Sequence, residues 1–187
     1  DPAEILTTTV GKPTPGVELR IVSSDNLPLP ADAVGEVVIR SPATMRGYWR
    51  DPQATAATID VDGWVHTGDL GYLDAAGYVH LRGRQSEMFI RGGYNVYPAE
   101  VEDLLAQHTK VARAAVLGVP DAVFGEVGWA YVVPRTAAAP PTLAELREFV
   151  GTELASFKRP DGLTVVSELP LTPMFKVDKR ALQQMKR

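Results

Sequence analysis

Three short stretches of this 187-residue chain combine residue types that chemistry needs. The first is Thr67-Gly68-Asp69-Leu70-Gly71, preceded by Asp62-Gly63-Trp64. Two glycines around one Asp let the backbone come close to a ligand while the carboxylate faces it. A carboxylate so placed accepts two hydroxyl donors, such as the 2′ and 3′ groups of a ribose. The second is Gly83-Arg84-Gln85-Ser86-Glu87, followed by Ile90-Arg91-Gly92-Gly93-Tyr94-Asn95. Arg84 brings a rigid fork of donors suited to a phosphate or a ribose, and Gly92 and Gly93 clear side chains from a loop along which a narrow ligand fits. The third, Pro170 through Arg180, places Lys176 after two prolines and just before a helix start. A mobile ammonium there neutralises charge where a carboxylate meets a phosphate. Each stretch also has a plainer reading: a surface turn with a solvated Asp, a simple β-hairpin, and a solvated Lys.

The elements that must position these residues fall into two kinds. Residues 17–22, 34–40 and 77–82 are short β-branched runs bounded by Gly and Pro, as strands are, with a turn at Asp74-Ala75-Ala76-Gly77 and one short helix over 51–59. After Arg84 strands and helices alternate. Residues 87–91 read as a strand and 98–107 as a helix that begins on Pro98, with Val101, Leu104 and Leu105 on one apolar face. Strands follow over 111–119 and 127–133, then a Pro- and Ala-rich loop or linker over 134–141. Thr142 with Glu145 is a capping box for a helix reaching about residue 154. A last strand over 163–166 and a last helix over 179–186 complete an α+β pattern. The expected boundary lies near Gly83 to Ser86, separating a β-rich piece, 1–83, from a small domain, 84–187.

Composition narrows the function classes. Apolar residues make 45% of the chain and charged residues 22%, ordinary values for a globular protein. A net charge of −4 argues against a general nucleic-acid binder, which needs a cationic face. The chain has no cysteine, which excludes disulfides, thiolate metal sites and cysteine nucleophiles and fits a cytoplasmic protein. No apolar run reaches the roughly 20 residues of a membrane span, and Asp1-Pro2-Ala3-Glu4 has no signal-peptide character and reads as a cut end. His66, His80 and His108 show no metal-ligand spacing, so structural or solvated roles are expected and no metal site. Trp49, Trp64 and Trp129 are expected to be packing residues, Asp121 to Glu126 a structural turn, and Glu100 and Glu102 surface charge partners.

Taken together, the three stretches, with Gly47-Tyr48-Trp49 upstream and Phe157-Lys158-Arg159-Pro160 downstream, resemble the adenylate-forming superfamily of acyl- and aryl-CoA synthetases, nonribosomal adenylation domains and luciferase. The resemblance runs from Val10-Gly11-Lys12-Pro13 to the C-terminal helix. It implies the C-terminal portion of an acid–CoA ligase: a β-barrel-like piece of the large AMP-binding domain, then the complete small lid domain. It also implies a reaction in two halves, in which a carboxylic acid and ATP, with Mg²⁺, give an acyl-adenylate and pyrophosphate, and CoA then displaces AMP.

By that resemblance Asp69 holds the ribose hydroxyls, Arg84 contacts the ribose or phosphate, and Lys176 is the catalytic lysine of adenylation. Ser86 sits at the hinge about which the lid rotates, and the Gly92-Gly93-Tyr94 loop lines the pantetheine tunnel. Lys158 and Arg159 are candidates for holding CoA phosphates. Two positions depart from the family pattern. Phe175 stands where a Gly usually precedes the lysine, and Phe enters positive φ only at a cost, so a reshaped loop or a less freely placed lysine is expected. Ser86 is neutral where Asp or Lys is usual.

The Ser/Thr/Gly-rich phosphate loop and the Tyr-Gly-x-Thr-Glu motif of the family do not occur in the chain. It is therefore expected to be inactive alone and to need the missing N-terminal domain, which would supply the acid pocket and the Mg²⁺ ligands. The Gly92–Glu102 stretch and Phe157–Pro160 favour CoA as acceptor; the alternatives are an enzyme that loads a carrier protein and a non-catalytic nucleotide- or CoA-binding module.

Overall fold

The computed structural model describes residues 3–185, and the chain divides after Ser86 into two compact units. In the first unit a short helix, α1 (Ala3–Thr8), precedes four strands: β1 (Glu18–Val22), β2 (Gly35–Arg40), β3 (Val65–Leu73) and β4 (Val79–Arg84). They form one antiparallel sheet in sequence order. Among the described residues the sheet stays open rather than closing into a barrel. Its β4 edge is covered by residues 10–11, where the Val10 amide donates to the Val79 carbonyl and the Val79 amide to Gly11, each at 2.9 Å.

Between β2 and β3 lies α2 (Pro52–Thr58), with Asp51 capping it by accepting from the Ala54 amide. Val22, Val38 and Trp64 pack together as the buried centre of this unit. Trp64 lies beneath the Arg20 and Arg40 guanidiniums, 4.2 and 4.7 Å from its ring, so two exposed cations complete its cover. Trp49 departs from expectation: it is 86% exposed rather than packed.

The second unit is built on a long hairpin, β7 (Val111–Asp121) and β8 (Gly125–Pro134). Successive residues of both strands point to opposite faces, and both faces are covered. Val111, Val116, Ala130 and Val132 pack with Val101, Leu104 and Leu105 of α3 (Pro98–Ala106) and with Leu146 and Val150 of α4 (Leu143–Val150). Ala115, Leu117 and Tyr131 pack with Leu169 and with Leu182 of α5 (Lys179–Gln184). Two covered faces explain why these strands read as near-continuous apolar runs. Each of the large side chains buried here contributes about 1.5–3 kcal/mol relative to exposure.

Two short strands, β5 (Phe89–Arg91) and β6 (Tyr94–Val96), form a hairpin that joins the start of β8 through Arg91 and Gly125. Farther along the same edge β9 (Gly162–Val165) pairs parallel to β8. The local signals hold: Pro98 is in the first turn of α3, and Thr142 and Glu145 make the reciprocal capping box of α4. Glu145 is held at about 2, below its ordinary 4.5, by the Lys110 ammonium and then by the Thr142 amide and hydroxyl. Strand β3 and helix α1 had no counterpart in the sequence reading, whereas β6 is the second strand of the simple β-hairpin read there as the plainer alternative. The helix expected over 142–154 ends at Val150.

Candidate functional site

The Thr67-Gly68-Asp69 stretch, open to reading as a surface turn, lies within the nine-residue strand β3. The strand breaks register on both sides. Pairing with β2 shifts between Glu36 and Val38, and pairing with β4 shifts between Leu70 and Gly71. Gly68 supplies the positive φ, +70°, that the first irregularity requires. The freed backbone groups find side-chain partners. Thr67 donates its hydroxyl to the Val37 carbonyl at 2.7 Å and accepts from the Asp69 amide at 3.1 Å. Glu36 Oε1 accepts from the Gly68 amide at 3.0 Å.

Bulges of this kind re-aim side chains, and Asp69 stands opposite Arg84 in the ladder. Arg84 Nε lies 2.7 Å from Asp69 Oδ1, with the two side chains 52% and 30% exposed. Arg84 also donates to the Thr67 carbonyl at 3.3 Å. A carboxylate and a guanidinium thus stand side by side with open faces, which suits a ligand carrying hydroxyls and a phosphate.

Residues that sequence reasoning passed over hold this pair. Glu36 grips the Gly68 amide with one oxygen and His66 Nδ1 with the other, at 2.8 Å. Asp60 lies 3.9 Å from His66 Nε2. Partial burial opposes the Asp60 charge, but the Trp64 and Asp62 amides and the Asn26 side chain outweigh it and hold its carboxyl below the usual value. His80 pairs with Asp74 and stacks on Tyr72 at 4.5 Å. Among the described residues no three or more His, Asp or Glu side chains converge as metal ligands.

In the second unit Gly92 and Gly93 form the two-residue loop of the β5–β6 hairpin, with φ of 56° and 88°. Two positive φ values define the mirror-image turn that hairpins favour and glycine permits. The plain-hairpin reading therefore holds for the backbone, and the surroundings add to it. Tyr94, 59% exposed, stacks on Phe157 at 4.6 Å, which brings the Gly92-Gly93-Tyr94 loop beside the Phe157-Lys158-Arg159-Pro160 stretch. The Gly92 amide donates to the Phe124 carbonyl, and the Phe124 ring lies 4.2 Å from the Arg91 guanidinium. Arg91 makes two bonds to Asp161, which also receives Arg147 at 3.1 Å.

Lys158 is 2.6 Å from Glu100, with both side chains largely buried. Glu100 is thus a partner across elements rather than a surface charge. Arg159 packs against Gly151, and its Nε is buried without a hydrogen-bond partner.

Lys176 occupies a small hairpin closed by the Leu171–Val177 bridge. The Thr172 amide donates to the Lys176 carbonyl at 2.7 Å and the Phe175 amide to Thr172 at 2.9 Å. This is a tight turn followed by one left-handed residue, a position that favours glycine. Phe175 holds it, at φ 60°. Phe takes the left-handed conformation itself, and it is 84% exposed and Met174 78%. Lys176 is exposed beside them. The structure therefore joins Asp69 with Arg84, and Tyr94 with Phe157 and Lys158, while Lys176 stands on its own loop.

The family model of the AMP-binding enzyme matches residues 1–49, and that of the AMP-binding enzyme C-terminal domain matches residues 100–176. Lys158, Arg159 and Lys176 fall within the second span, while Asp69, Arg84, Ser86 and the Gly92–Tyr94 loop lie between the two. The 3-[(3aS,4S,7aS)-7a-methyl-1,5-dioxo-octahydro-1H-inden-4-yl]propanoyl:CoA ligase of Rhodococcus jostii is 46% identical over all of this chain and 34% of its own length. The fatty acid–acyl-carrier-protein ligase ScoC of Streptomyces coeruleorubidus is 42% identical over 97% of this chain and 35% of its own. The o-succinylbenzoate CoA synthetase of Bacillus subtilis, solved with its acyl-adenylate intermediate, superposes with a TM-score of 0.89 at 34% identity, over 97% of this chain and 36% of that one. The chain spans about a third of the length of the curated relatives it matches.

Proposed function

The chain belongs to the adenylate-forming, AMP-binding enzyme family, and from that premise we propose that the whole protein is an AMP-forming acid–CoA ligase. The carboxylate of the acid attacks the α-phosphorus of ATP, the bond to pyrophosphate breaks, and an acyl-adenylate forms. The sulfur of CoA then attacks the acyl carbon, and AMP leaves with the bonding electrons. The observation that carries the reading is the Asp69–Arg84 pair, 2.7 Å apart on neighbouring strands with both side chains partly open. Its carboxylate is suited to two ribose hydroxyls and its guanidinium to the ribose or the phosphate.

Adenylation brings two anions together, and the Lys176 ammonium lowers that repulsion where charge develops. Ser86, the last residue of the first unit, is the hinge on which a lid exchanges the Lys176 loop for the Gly92-Gly93-Tyr94 loop between the half-reactions. In the second half-reaction the Tyr94–Phe157 stack lines the pantetheine path, and Lys158 and Arg159 flank the CoA phosphates. A phosphate at Lys158 would share that ammonium with Glu100. ATP, CoA and a carboxylic acid are the substrates, and the N-terminal portion of the same protein is the implied partner.

A second reading, transfer of the acyl group to a carrier protein, rests on the 42% identity to an acyl-carrier-protein ligase. The test is to give the whole protein, its Lys176→Ala variant and the 187-residue chain ATP, Mg²⁺, a panel of carboxylic acids, and either CoA or a phosphopantetheinylated carrier protein. Acyl-CoA and AMP from the whole protein alone, abolished in Lys176→Ala, support the proposal. Transfer only to the carrier selects the second reading. Binding of AMP or CoA with no thioester from any form refutes both and leaves a non-catalytic binding module.

A further inference from the structure

Resting on the reading of Lys176 as the adenylation lysine, we propose that Lys179 is a positioning residue that ties the Lys176 loop to the first residue of the second unit. Lys179 Nζ lies 2.6 Å from Glu87 Oε2 and 2.9 Å from Glu102 Oε1, and only 19% of the Lys179 side chain is exposed. Glu87 opens the second unit and ends the 3-10 turn Gln85–Glu87. Glu102 belongs to α3, and the oxygen that receives Lys179 also accepts from the Val116 amide of β7 at 2.7 Å. One ammonium therefore gathers three segments remote in sequence: the residue after the boundary, the helix packed on the sheet, and the start of α5.

The link from Lys179 to Lys176 is short and stiff. Asp178 caps α5 by accepting from the Ala181 amide at 3.0 Å, and its own amide donates to the Pro170 carbonyl at 2.8 Å. Val177 bridges to Leu171. Lys176 thus projects from a hairpin whose outgoing arm is pinned, three residues on, to Glu87. The two carboxylates facing Lys179 would repel each other without it, so the charge, and not only the packing of its stem, holds the segments together. Lys176 is exposed on its loop; its approach to a reaction centre depends on how its base is anchored, because small misplacements in a site have large kinetic cost.

A positioning role for Lys179 separates the two half-reactions. A residue that positions Lys176 matters for making the adenylate and not for consuming it, whereas a merely structural residue affects both. In the 187-residue chain, Lys179→Met should raise hydrogen exchange at the Phe175 and Asp178 amides about tenfold, with Lys179→Arg restoring most of the protection. Glu87→Gln, which keeps the shape of a 37% exposed side chain, should act in the same direction more weakly and guards against a variant that does not fold. In the whole protein, Lys179→Met should slow pyrophosphate exchange about ten- to a hundredfold and leave thioester formation from supplied acyl-adenylate within about twofold of the wild type. Unchanged exchange at both amides would overturn the anchoring. Equal losses in the two half-reactions, or no rescue by Arg, would overturn the positioning role. If Lys176→Ala itself leaves pyrophosphate exchange intact, the catalytic reading of that loop fails while the anchoring result stands.

Discussion

Replacing Phe175 by Gly tests how the Lys176 loop is built. Phe175 sits at φ 60° in the left-handed region, where an L-residue is disfavoured by roughly 1–2 kcal/mol. Its ring is 84% exposed, so removing it forfeits little burial. Against this, Gly gives the unfolded chain more freedom, a cost of roughly 0.5–1 kcal/mol. The net expectation is a stabilisation of about 0.5–1 kcal/mol. With a denaturant slope of about 2 kcal/mol/M, the urea midpoint rises by about 0.3–0.5 M. The assay is urea unfolding followed at amides in the core of the second unit, Val116 and Ala130, which separates this transition from that of the first unit. Phe175→Ala is the control, since it removes the ring and keeps the backbone penalty; it should leave the midpoint nearly unchanged. A gain for Ala equal to that for Gly, or a loss for Gly, would refute the backbone argument and show that the side chain sets the stability.

Asp69→Ala removes the proposed ribose acceptor and leaves Arg84 without its 2.7 Å partner; AMP affinity of the whole protein, measured calorimetrically, should fall about tenfold or more. Gly162→Ala would set a Cβ 2.2 Å from the Trp129 ring, which a 2.9 Å bond to Thr164 holds in place. Overpacking of this kind costs about 1–3 kcal/mol and should appear as a lower midpoint for the second unit only. Glu145 titrates at about 2 in the folded protein against an ordinary 4.5, held down first by Lys110 and then by Thr142. A depressed carboxyl stabilises the fold fully above its unfolded value and loses that contribution as pH falls through the folded one. Thermal melts across that window should therefore show a shallower acid-side decline for Glu145→Gln than for the wild type.

Signals carried within a few residues were legible in the sequence. The capping box of Thr142 and Glu145, Pro98 at the head of α3, and the apolar face of Val101, Leu104 and Leu105 all depend on contacts inside one helical turn. The order of motifs likewise marked the adenylate-forming family. Strand β3 escaped notice because Thr67-Gly68-Asp69 has turn composition. It becomes a bulged strand only because β2 and β4 pair on either side and Glu36, thirty-two residues away, takes the Gly68 amide. Trp49 shows the same limit: composition says that Trp packs, while its 86% exposure depends on which surfaces the chain brings near it.

Partnership between distant charges was decided only by the tertiary structure. Glu100 meets Lys158 fifty-eight residues on, and Lys179 meets Glu87 ninety-two residues back. Nothing local distinguishes these side chains from solvated ones. Their pairing follows from which helices the β7–β8 hairpin carries on its two faces. Phe175 joins the two levels. The sequence determined that a bulky residue precedes Lys176, but only the hairpin's closing hydrogen bonds, set by the Leu171–Val177 bridge, decided that it must adopt the left-handed conformation.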